Sequence, residues 1–462
     1  MRRIEVPCPE ALDPVLRAIR SAGGRPWIAG GAVRDAAMGL VPGDFDIEVY
    51  GLGVNALARA LAEVGRVHAV GRAFGVLKLA IAGLEIDVSL PRRESKSAPG
   101  HRGFLVEPDP QLEPQEACAR RDFTINAMLW DPLTGEVRDY FGGLGDIERR
   151  VLRHTGPAFA DDPLRVLRGL QFAGRFALRA DADTVLLSRR LLAEYDTLAP
   201  ERIFAEWSKW AARSTRPSAG LKYLAASGWL VRYPELERLD GCPQDRKWHP
   251  EGDVWTHTLL VCDEAAAIAE RDGLAAEDRL VLLLAALCHD LGKPATTAID
   301  GDRVRSPGHA ELVVTFAALL DRLGCPARIA QRVIGLSRHH LAHMGFAGSS
   351  RHVRRLARAL GEHAETIEQL ARLIEADHGG RPPLPGGLPE SMRDMLALAR
   401  GLATAAAAPP RLLLGRHLID LGVAPGPRMG EILAAAYEAQ LDGAFDSVDT
   451  ALAWVAESFP ER

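Results

Sequence analysis

The stretch Trp27-Ile28-Ala29-Gly30-Gly31-Ala32-Val33-Arg34-Asp35, followed by Gly43-Asp44-Phe45-Asp46-Ile47-Glu48-Val49, decides how this chain is read. A short apolar strand runs into a paired-glycine turn, then a helix, then a second strand. Glycines let backbone N–H groups come close to a phosphate at a helix N-terminus. Asp44 and Asp46 are two apart on a strand, so both carboxylates point to one face. Two convergent carboxylates are costly unless a cation lies between them, and Mg²⁺ with a triphosphate is the usual one. Either half alone is commonly a polar turn or a solvated edge strand. Together and in this order they describe a phosphate cradle beside a cation-binding pair.

A chain of 462 residues is too long for one core, so three or four domains are expected. The 25% charged and 47% hydrophobic residues are ordinary for a soluble protein. A formal net charge of -5 offers no general attraction for nucleic acid, although it leaves room for a local basic face. The six cysteines are scattered without a Cys-x-x-Cys pair, which suits a reducing cytoplasm. No apolar run approaches membrane-spanning length and the first residues lack a signal-peptide core, so no membrane partner is expected.

Up to about residue 150, strand-like and helical stretches alternate. Strands are expected at Val67 to Val70 and Gly75 to Ile81, then at Leu84 to Leu90, where Asp87 offers a third carboxylate. Residues Pro91 to Cys118 are Pro-, Gly- and charge-rich and read as a cationic flap containing Arg92, Arg93, Lys96 and Arg102. In Arg120-Arg121-Asp122-Phe123-Thr124-Ile125-Asn126, paired arginines ahead of an apolar helix suit phosphate, and Asp122 or Asn126 suits a ribose hydroxyl.

From Asp162-Pro163-Leu164-Arg165-Val166-Leu167-Arg168 onward the pattern is helical. Asp before Pro is an ordinary helix start. Arg165 is not ordinary there, because the positive end of the helix dipole disfavours it. Three residues apart, Asp162 and Arg165 face the same way. A carboxylate beside a guanidinium matches a base edge with an exocyclic amine next to a ring acceptor, which cytosine and adenine have and uracil and guanine lack.

Beyond Gly241-Cys242-Pro243 come His257, His289-Asp290, His309, the pair His339-His340, and Asp377. Histidines and carboxylates on separate helices are the raw material of a metal site. His257, His289, Asp290 and Asp377 form the set assigned here. Arg351, Arg354, Arg355 and Arg358 form a charge run that is a candidate contact for an RNA backbone.

Together these motifs resemble the class II tRNA nucleotidyltransferases, the CCA-adding enzymes and their poly(A) polymerase relatives. The second half is similar to the HD phosphohydrolase domain carried by many bacterial members, and Pro425-Gly426-Pro427 is similar to part of their RNA-contacting tail. The resemblance implies an α+β fold: a nucleotidyltransferase head with a five-stranded mixed sheet at 1–150, a helical neck at 151–240, an HD-type body at 241–385 and an RNA-binding tail at 386–462. It also implies roles. Asp44 and Asp46 hold two Mg²⁺ ions, and Asp87 is the candidate third catalytic carboxylate. Gly30, Gly31, Arg34 and Arg121 face the triphosphate. Asp122 and Asn126 lie near the ribose, Asp162 with Arg165 selects the base, and Arg168 belongs to the nucleotide-binding set. A divalent transition metal is expected at the HD site. Expected partners are tRNA, CTP and ATP, and the chain is expected to act as a monomer or homodimer.

Some residues depart from the family pattern. Asp161 stands where the family usually has Glu. Gly71-Arg72-Ala73-Phe74 lacks the second basic residue typical of bacterial poly(A) polymerases, and the Pro91 to Cys118 loop, typically lost in CC-adding members, is present. Both points favour addition of C, C and A. The alternatives are A-only or CC-only addition, a poly(A) polymerase, or an HD phosphohydrolase with the head as an RNA-binding module.

Overall fold

A computed structural model describes residues 3–68, 75–96, 104–301 and 303–460. The Gly71–Phe74 run, Val70, Arg102 and the side chain of Lys96 lie outside the described residues. The chain divides into two compact units, Met1–Leu230 and Val231–Arg462.

The first unit is built on β1 (Arg25–Ala29), β2 (Asp46–Tyr50), β3 (Arg66–His68), β4 (Val76–Ile81) and β5 (Leu84–Ser89). A separate hairpin follows, formed by β6 (Arg92–Lys96) and β7 (Phe104–Pro108). Then come β8 (Met128–Trp130) and β9 (Val137–Asp139). The main sheet has seven strands in the order β3-β4-β5-β2-β1-β8-β9. The five-stranded expectation is therefore corrected by the addition of β8 and β9. The apolar stretch read as a helix after Arg121 forms only the 3₁₀ turn Thr124–Asn126 before entering β8. Thr124 is drawn sideways by its hydroxyl, which donates to Asp146 Oδ2 at 2.6 Å, and the apolar run is too short to outweigh such ties. The expected flap is likewise partly ordered into the β6–β7 hairpin and the helix Pro114–Ala119.

Among the described pairings of the main sheet, β2 and β5 alone run parallel. Their register sets Asp46 beside Asp87, and Ala29 lies on the other side of Asp46. The end of β1 and the two aspartates thus form one row across three strands. Isoleucine, valine and leucine on the opposite face (Ile47, Val49, Val88, Leu77) bury the sheet against the helices Leu12–Ser21 and Val54–Ala62.

The helix Leu164–Phe176 packs on Pro200–Arg213 and Pro217–Ala226, with Trp207 and Trp210 fully enclosed. A Cβ at Gly220 would meet the Leu170 carbonyl oxygen at 2.2 Å, so glycine allows this close helix approach.

In the second unit, helix Ala276–Cys288 is buried without interruption from Leu280 to Cys288. A helix apolar on every side belongs at the centre of a bundle. It is packed against Val254–Arg271, Ala327–His339 and Ile367–Gly379. The residues from Leu413 to Val455 have an apolar core of their own. The arginine run on helix Ser350–Gly361 is engaged within this unit. Arg351 and Arg355 meet Asp442, and Arg358 meets Glu438. No described helix is long and apolar enough to cross a membrane.

Candidate active site and metal centre

A cleft of about 620 Å³ opens at the end of β1, β2 and β5. Gly30, Gly31, Arg34, Asp46, Asp87, Arg121, Asp122, Asn126, Asp162, Arg165 and Arg168 all line it. Asp44 stands just before β2. In the sequence Asp44-Phe45-Asp46, the two aspartates are exposed and the phenylalanine is buried, which is the alternation a strand face requires. Partial removal from water pushes the Asp46 carboxyl above the ordinary carboxylate range against the pull of Arg121, and the charges of Asp87, Asp44 and Glu48 push it further. Crowded carboxylates of this kind favour a cation. Lys78, opposite Asp87 on β4, already lies 3.3 Å from the Asp87 carboxylate and compensates part of that charge.

The glycine turn is shaped by Arg121. Gly30 has φ +65°, and a Cβ there would come within 2.7 Å of Arg121 Nη1. Arg121 donates from Nη2 to Glu48 Oε2 at 2.8 Å, and Glu48 also accepts from the Tyr50 hydroxyl. Glu48 continues the period of Asp44 and Asp46 along β2, yet it is buried and binds an arginine. Arg34 is buried as well. It donates to Asn126 Oδ1 at 2.6 Å and to Asp35 Oδ1 at 2.6–2.8 Å, and its guanidinium lies 4.7 Å from the Phe176 ring centre.

Asn126 donates onward to Asp122 Oδ1 at 3.0 Å, and Asp122 Oδ2 accepts from Arg168 Nε at 2.6 Å. Burial works to raise the Asp122 pKa, but the Arg168 guanidinium beside it outweighs burial and holds the carboxyl below its ordinary range. Asp162 lies one residue before the N-cap Pro163, and its Oδ1 accepts from the Leu164 N–H at 3.0 Å. Its Oδ2 accepts from Arg202 Nη2 at 2.9 Å. Arg165 donates to the carbonyls of Ala158 and Arg120 at 2.6 and 2.8 Å. The unusual position of Arg165 in a first turn is thus explained by two carbonyl partners outside the helix. Sequence reading missed Arg202 and Glu48. Arg202 sits in an ordinary amphipathic helix forty residues from its partner, and only the period of β2 pointed to Glu48.

In the second unit, His257, His289, Asp290 and Asp377 converge as expected. His257 Nε2 is 3.3 Å from His289 Nε2 and 3.1 Å from Asp377 Oδ1. His289 Nε2 is 3.1 Å from Asp290 Oδ2. The structure adds His309 and His340. Of the His339-His340 pair, only His340 is buried and turned to the cluster. Burial pushes the His340 imidazole down to about 3. Asp290 and Asp377 are held well below the carboxylate range, because the surrounding imidazoles and, for Asp290, Lys293 overcome the cost of burial. Glu251 Oε1 lies 2.8 Å from His257 Nδ1 and 2.9 Å from His249 Nδ1. Imidazole and carboxylate donors at these separations suit a divalent transition metal. A cavity of about 390 Å³ lies over the cluster, with Lys293, Arg381 and Trp248 in its wall.

Residues 26–153 match the family described as Poly A polymerase head domain, and residues 254–405 match the HD domain. The Multifunctional CCA protein of Xanthomonas campestris pv. campestris (strain B100) is 38% identical over 419 residues, covering 89% of this chain and 96% of that protein. The Multifunctional CCA protein of Stenotrophomonas maltophilia (strain K279a) is 41% identical over 323 residues, 68% of this chain and 75% of that protein. Among solved structures, the Bacillus stearothermophilus CCA-adding enzyme in complex with CTP shares the fold with a TM-score of 0.64 at 19% identity, covering 98% of each chain. The Thermotoga maritima CCA-adding enzyme complexed with tRNA shares it with a TM-score of 0.59 at 18% identity, covering 99% of this chain and 98% of that one.

Proposed function

This chain belongs to the family of the bacterial multifunctional CCA proteins, and from that premise we propose that it adds C, C and A to the 3′ end of tRNA from CTP and ATP without a template. The observation that carries the reading is the row of Asp46 and Asp87 facing a cleft walled by Arg34, Arg121, Arg165, Arg168 and Arg202; the exposed Asp44 precedes β2 and is not part of that wall. Carboxylates on one side and guanidiniums on the other suit a cation-bound triphosphate.

The crowded carboxylates fit Mg²⁺, with Asp44 and Asp46 as ligands and Asp87 as the third carboxylate. When bound, Mg²⁺ supplies Lewis-acid activation of a 3′-hydroxyl and charge neutralisation on the triphosphate. The Gly30 N–H is taken by the Met128 carbonyl oxygen at 3.1 Å, so the N–H groups that open the helix Gly31–Ala37 are the ones that suit phosphate, with Arg121 packed against the turn. Asp122 and Asn126 form one hydrogen-bonded unit with Arg34 and Arg168, and that unit suits a ribose hydroxyl. Asp162 and Arg165 border the same cleft and suit the amine-and-acceptor edge of cytosine or adenine.

The HD cluster fits a divalent transition metal held by His257, His289, Asp290 and Asp377, which when bound supplies a nucleophile from water at neutral pH. We assign metal-dependent phosphohydrolase activity to it, with Lys293 and Arg381 as phosphate-binding groups. We assign head, neck, HD body and tail to 1–150, 151–240, 241–385 and 386–462; the apolar core at Leu413–Val455 supports a distinct tail, although the helix Glu390–Gly401 packs on Ser350–Gly361 and Ile367–Gly379. Six free thiols suit a cytoplasmic setting, and sedimentation will distinguish monomer from homodimer.

The test is incubation of the protein with tRNA lacking its 3′ end, together with CTP and ATP. Extension by C, C and A, followed by arrest, is expected. Long adenylate tails would reassign the chain to the polymerases. Addition of CC alone, or of A only to tRNA already ending in CC, would make it a split enzyme. Asp44→Ala with Asp46→Ala is expected to abolish incorporation and to leave phosphate release by the HD site intact.

A further inference from the structure

We propose that Arg175 receives the terminal phosphates of the incoming nucleotide and holds them as they leave as pyrophosphate. The inference rests on the nucleotidyltransferase reading above and assigns the far end of that site.

The helix Leu164–Phe176 carries a stripe of cations and rings. Phe172 is four residues after Arg168, and Arg175 and Phe176 are three and four after Phe172, which is the repeat of one helix face. The Arg168 guanidinium lies 5.2 Å from the centre of the Phe172 ring, and that of Arg34 lies 5.3 Å from the same ring. Arg34 and Arg175 each lie 4.7 Å from the Phe176 ring. The order is therefore Arg168, Phe172, Arg34, Phe176, Arg175, with each ring held between two guanidiniums. The row begins beside Arg165, one of the pair proposed to read the base. Ten residues of helix from Arg165 to Arg175 span about 15 Å, comparable with an extended nucleoside triphosphate.

The arginines that wall the cleft are committed to protein partners. Arg34 donates to Asn126 and Asp35, Arg121 to Glu48, Arg165 to two carbonyls, Arg168 to Asp122 and Arg202 to Asp162. Arg175 differs from all of them. A guanidinium has five N–H donors, yet among the described residues the Arg175 side chain makes no hydrogen bond. Its one ion-pair contact is Asp35 Oδ2, 3.7 Å from Nη2, and the other oxygen of that carboxylate is taken by Arg34. The Arg175 side chain is 24% exposed, so its donors are sheltered but still reachable from water.

Charge around Arg175 is unbalanced. Burial draws its pKa below the usual guanidinium value, and the Arg34 and Arg213 guanidiniums add to that against Asp35 and Asp44. Once Asp44 is given to a cation, Asp35 alone is left to balance three guanidiniums. A phosphate dianion fits that excess, and the guanidinium fork matches its oxygens. In the proposed reaction the 3′-hydroxyl oxygen bonds to the α-phosphorus and its proton passes to solvent. The bond from that phosphorus to the bridging oxygen of the β-phosphate breaks, and its electron pair leaves on pyrophosphate. Negative charge thus grows at the end of the nucleotide opposite the base, as Arg175 stands at the end of the row opposite Arg165.

The test follows addition of A from ATP to tRNA ending in CC, with added pyrophosphate or AMP, by the full-length chain and by Arg175→Gln. In the variant the inhibition constant for pyrophosphate and the KM for ATP are expected to rise by about 10–100-fold, the equivalent of one charge-assisted hydrogen bond. Inhibition by AMP, which lacks the two terminal phosphates, and the KM for tRNA should not move. Arg175→Lys keeps the charge, loses the fork and should lie between. Unchanged pyrophosphate inhibition in a parent that incorporates nucleotide overturns the Arg175 assignment and leaves the nucleotidyltransferase reading standing. Equal weakening of AMP and pyrophosphate, the mark of a distorted site, overturns it too, as does a raised KM for tRNA alone, the mark of an RNA contact. A parent that incorporates neither C nor A overturns the nucleotidyltransferase reading itself. If the chain accepts only CTP, the same measurement is made with CTP and CMP on tRNA lacking its 3′ end. If Arg175→Gln does not fold by circular dichroism, the lysine variant decides.

Discussion

Arg168 Nε meets Asp122 Oδ2 at 2.6 Å, tying the turn that carries Asn126 to the helix that carries Arg165. Asp122 also accepts from the Phe123 N–H at 2.8 Å and from Asn126 Nδ2. Asn126 in turn accepts from Arg34 beside the glycine turn. The residues proposed for phosphate, ribose and base are thus one connected network, and a change at its centre reaches all three.

Asp122→Asn keeps the shape of that centre and removes its charge. The folded-state pKa of Asp122 lies below its unfolded value, so its ionised form stabilises the fold above about pH 3.9. That contribution is lost as pH falls through the depressed folded value. At neutral pH the variant is expected to be less stable by about 1–3 kcal/mol. Its urea midpoint should change less than that of the native chain as pH falls below 4. Equal acid sensitivity in the two proteins would mean that Asp122 is not held ionised by Arg168.

Gly30→Ala tests the turn. The positive φ with ψ −110° costs an alanine about 1–3 kcal/mol, and the new Cβ presses on Arg121 Nη1 at 2.7 Å. The arginine is expected to leave Glu48, so KM for CTP and for ATP should rise together while the melting temperature falls by only a few degrees. A large loss of stability with unchanged KM would show a turn that is structural only.

Much of the head was legible because strands have a strict period. Asp44-Phe45-Asp46 announces its own geometry, and Asp87 follows from a second alternating run. The extra strands β8 and β9 were not legible, because Met128-Leu129-Trp130 is too short to reveal a period and follows a stretch with helical residues. Contacts made across long sequence separations were hidden for another reason. Arg202 reaches Asp162 from a helix whose pattern only reports burial, and His309 meets His340 across thirty-one residues. A lone histidine in an apolar helix reads as core until its neighbours are known. The arginines from Arg351 to Arg358 read as a surface run because Glu438 and Asp442, their partners, lie far along the chain.

Arg202→Ala removes the guanidinium that holds Asp162 Oδ2 at 2.9 Å. Arg202 borders the cleft without belonging to the pair proposed to read the base, so it is a positioning residue. Freed of it, the Asp162 carboxylate gains freedom to turn, and discrimination against UTP and GTP should fall by about 10–100-fold, the equivalent of one charge-assisted hydrogen bond. Arg202→Lys should restore part of it. The measurement is the ratio of kcat/KM for CTP over UTP, and a uniform loss for every nucleotide would indicate a role in folding alone.

Glu251→Gln addresses the HD cluster from behind. Glu251 Oε1 receives Nδ1 of both His257 and His249, at 2.8 and 2.9 Å, so the carboxylate fixes which His257 nitrogen faces Asp377 and His289. The contacts with the two histidines overcome burial and draw the Glu251 carboxyl down to about 2. Glutamine keeps the hydrogen-bonding shape but not the charge that makes the imidazole a stronger donor. Removal of such an outer partner typically weakens a metal site by about 10–100-fold, and a loss of that size is expected in competition against a chelating dye. His249→Asn leaves the Glu251–His257 contact in place and should have a much smaller effect. If the two variants lose affinity equally, the pair acts by packing and not through the orientation of His257.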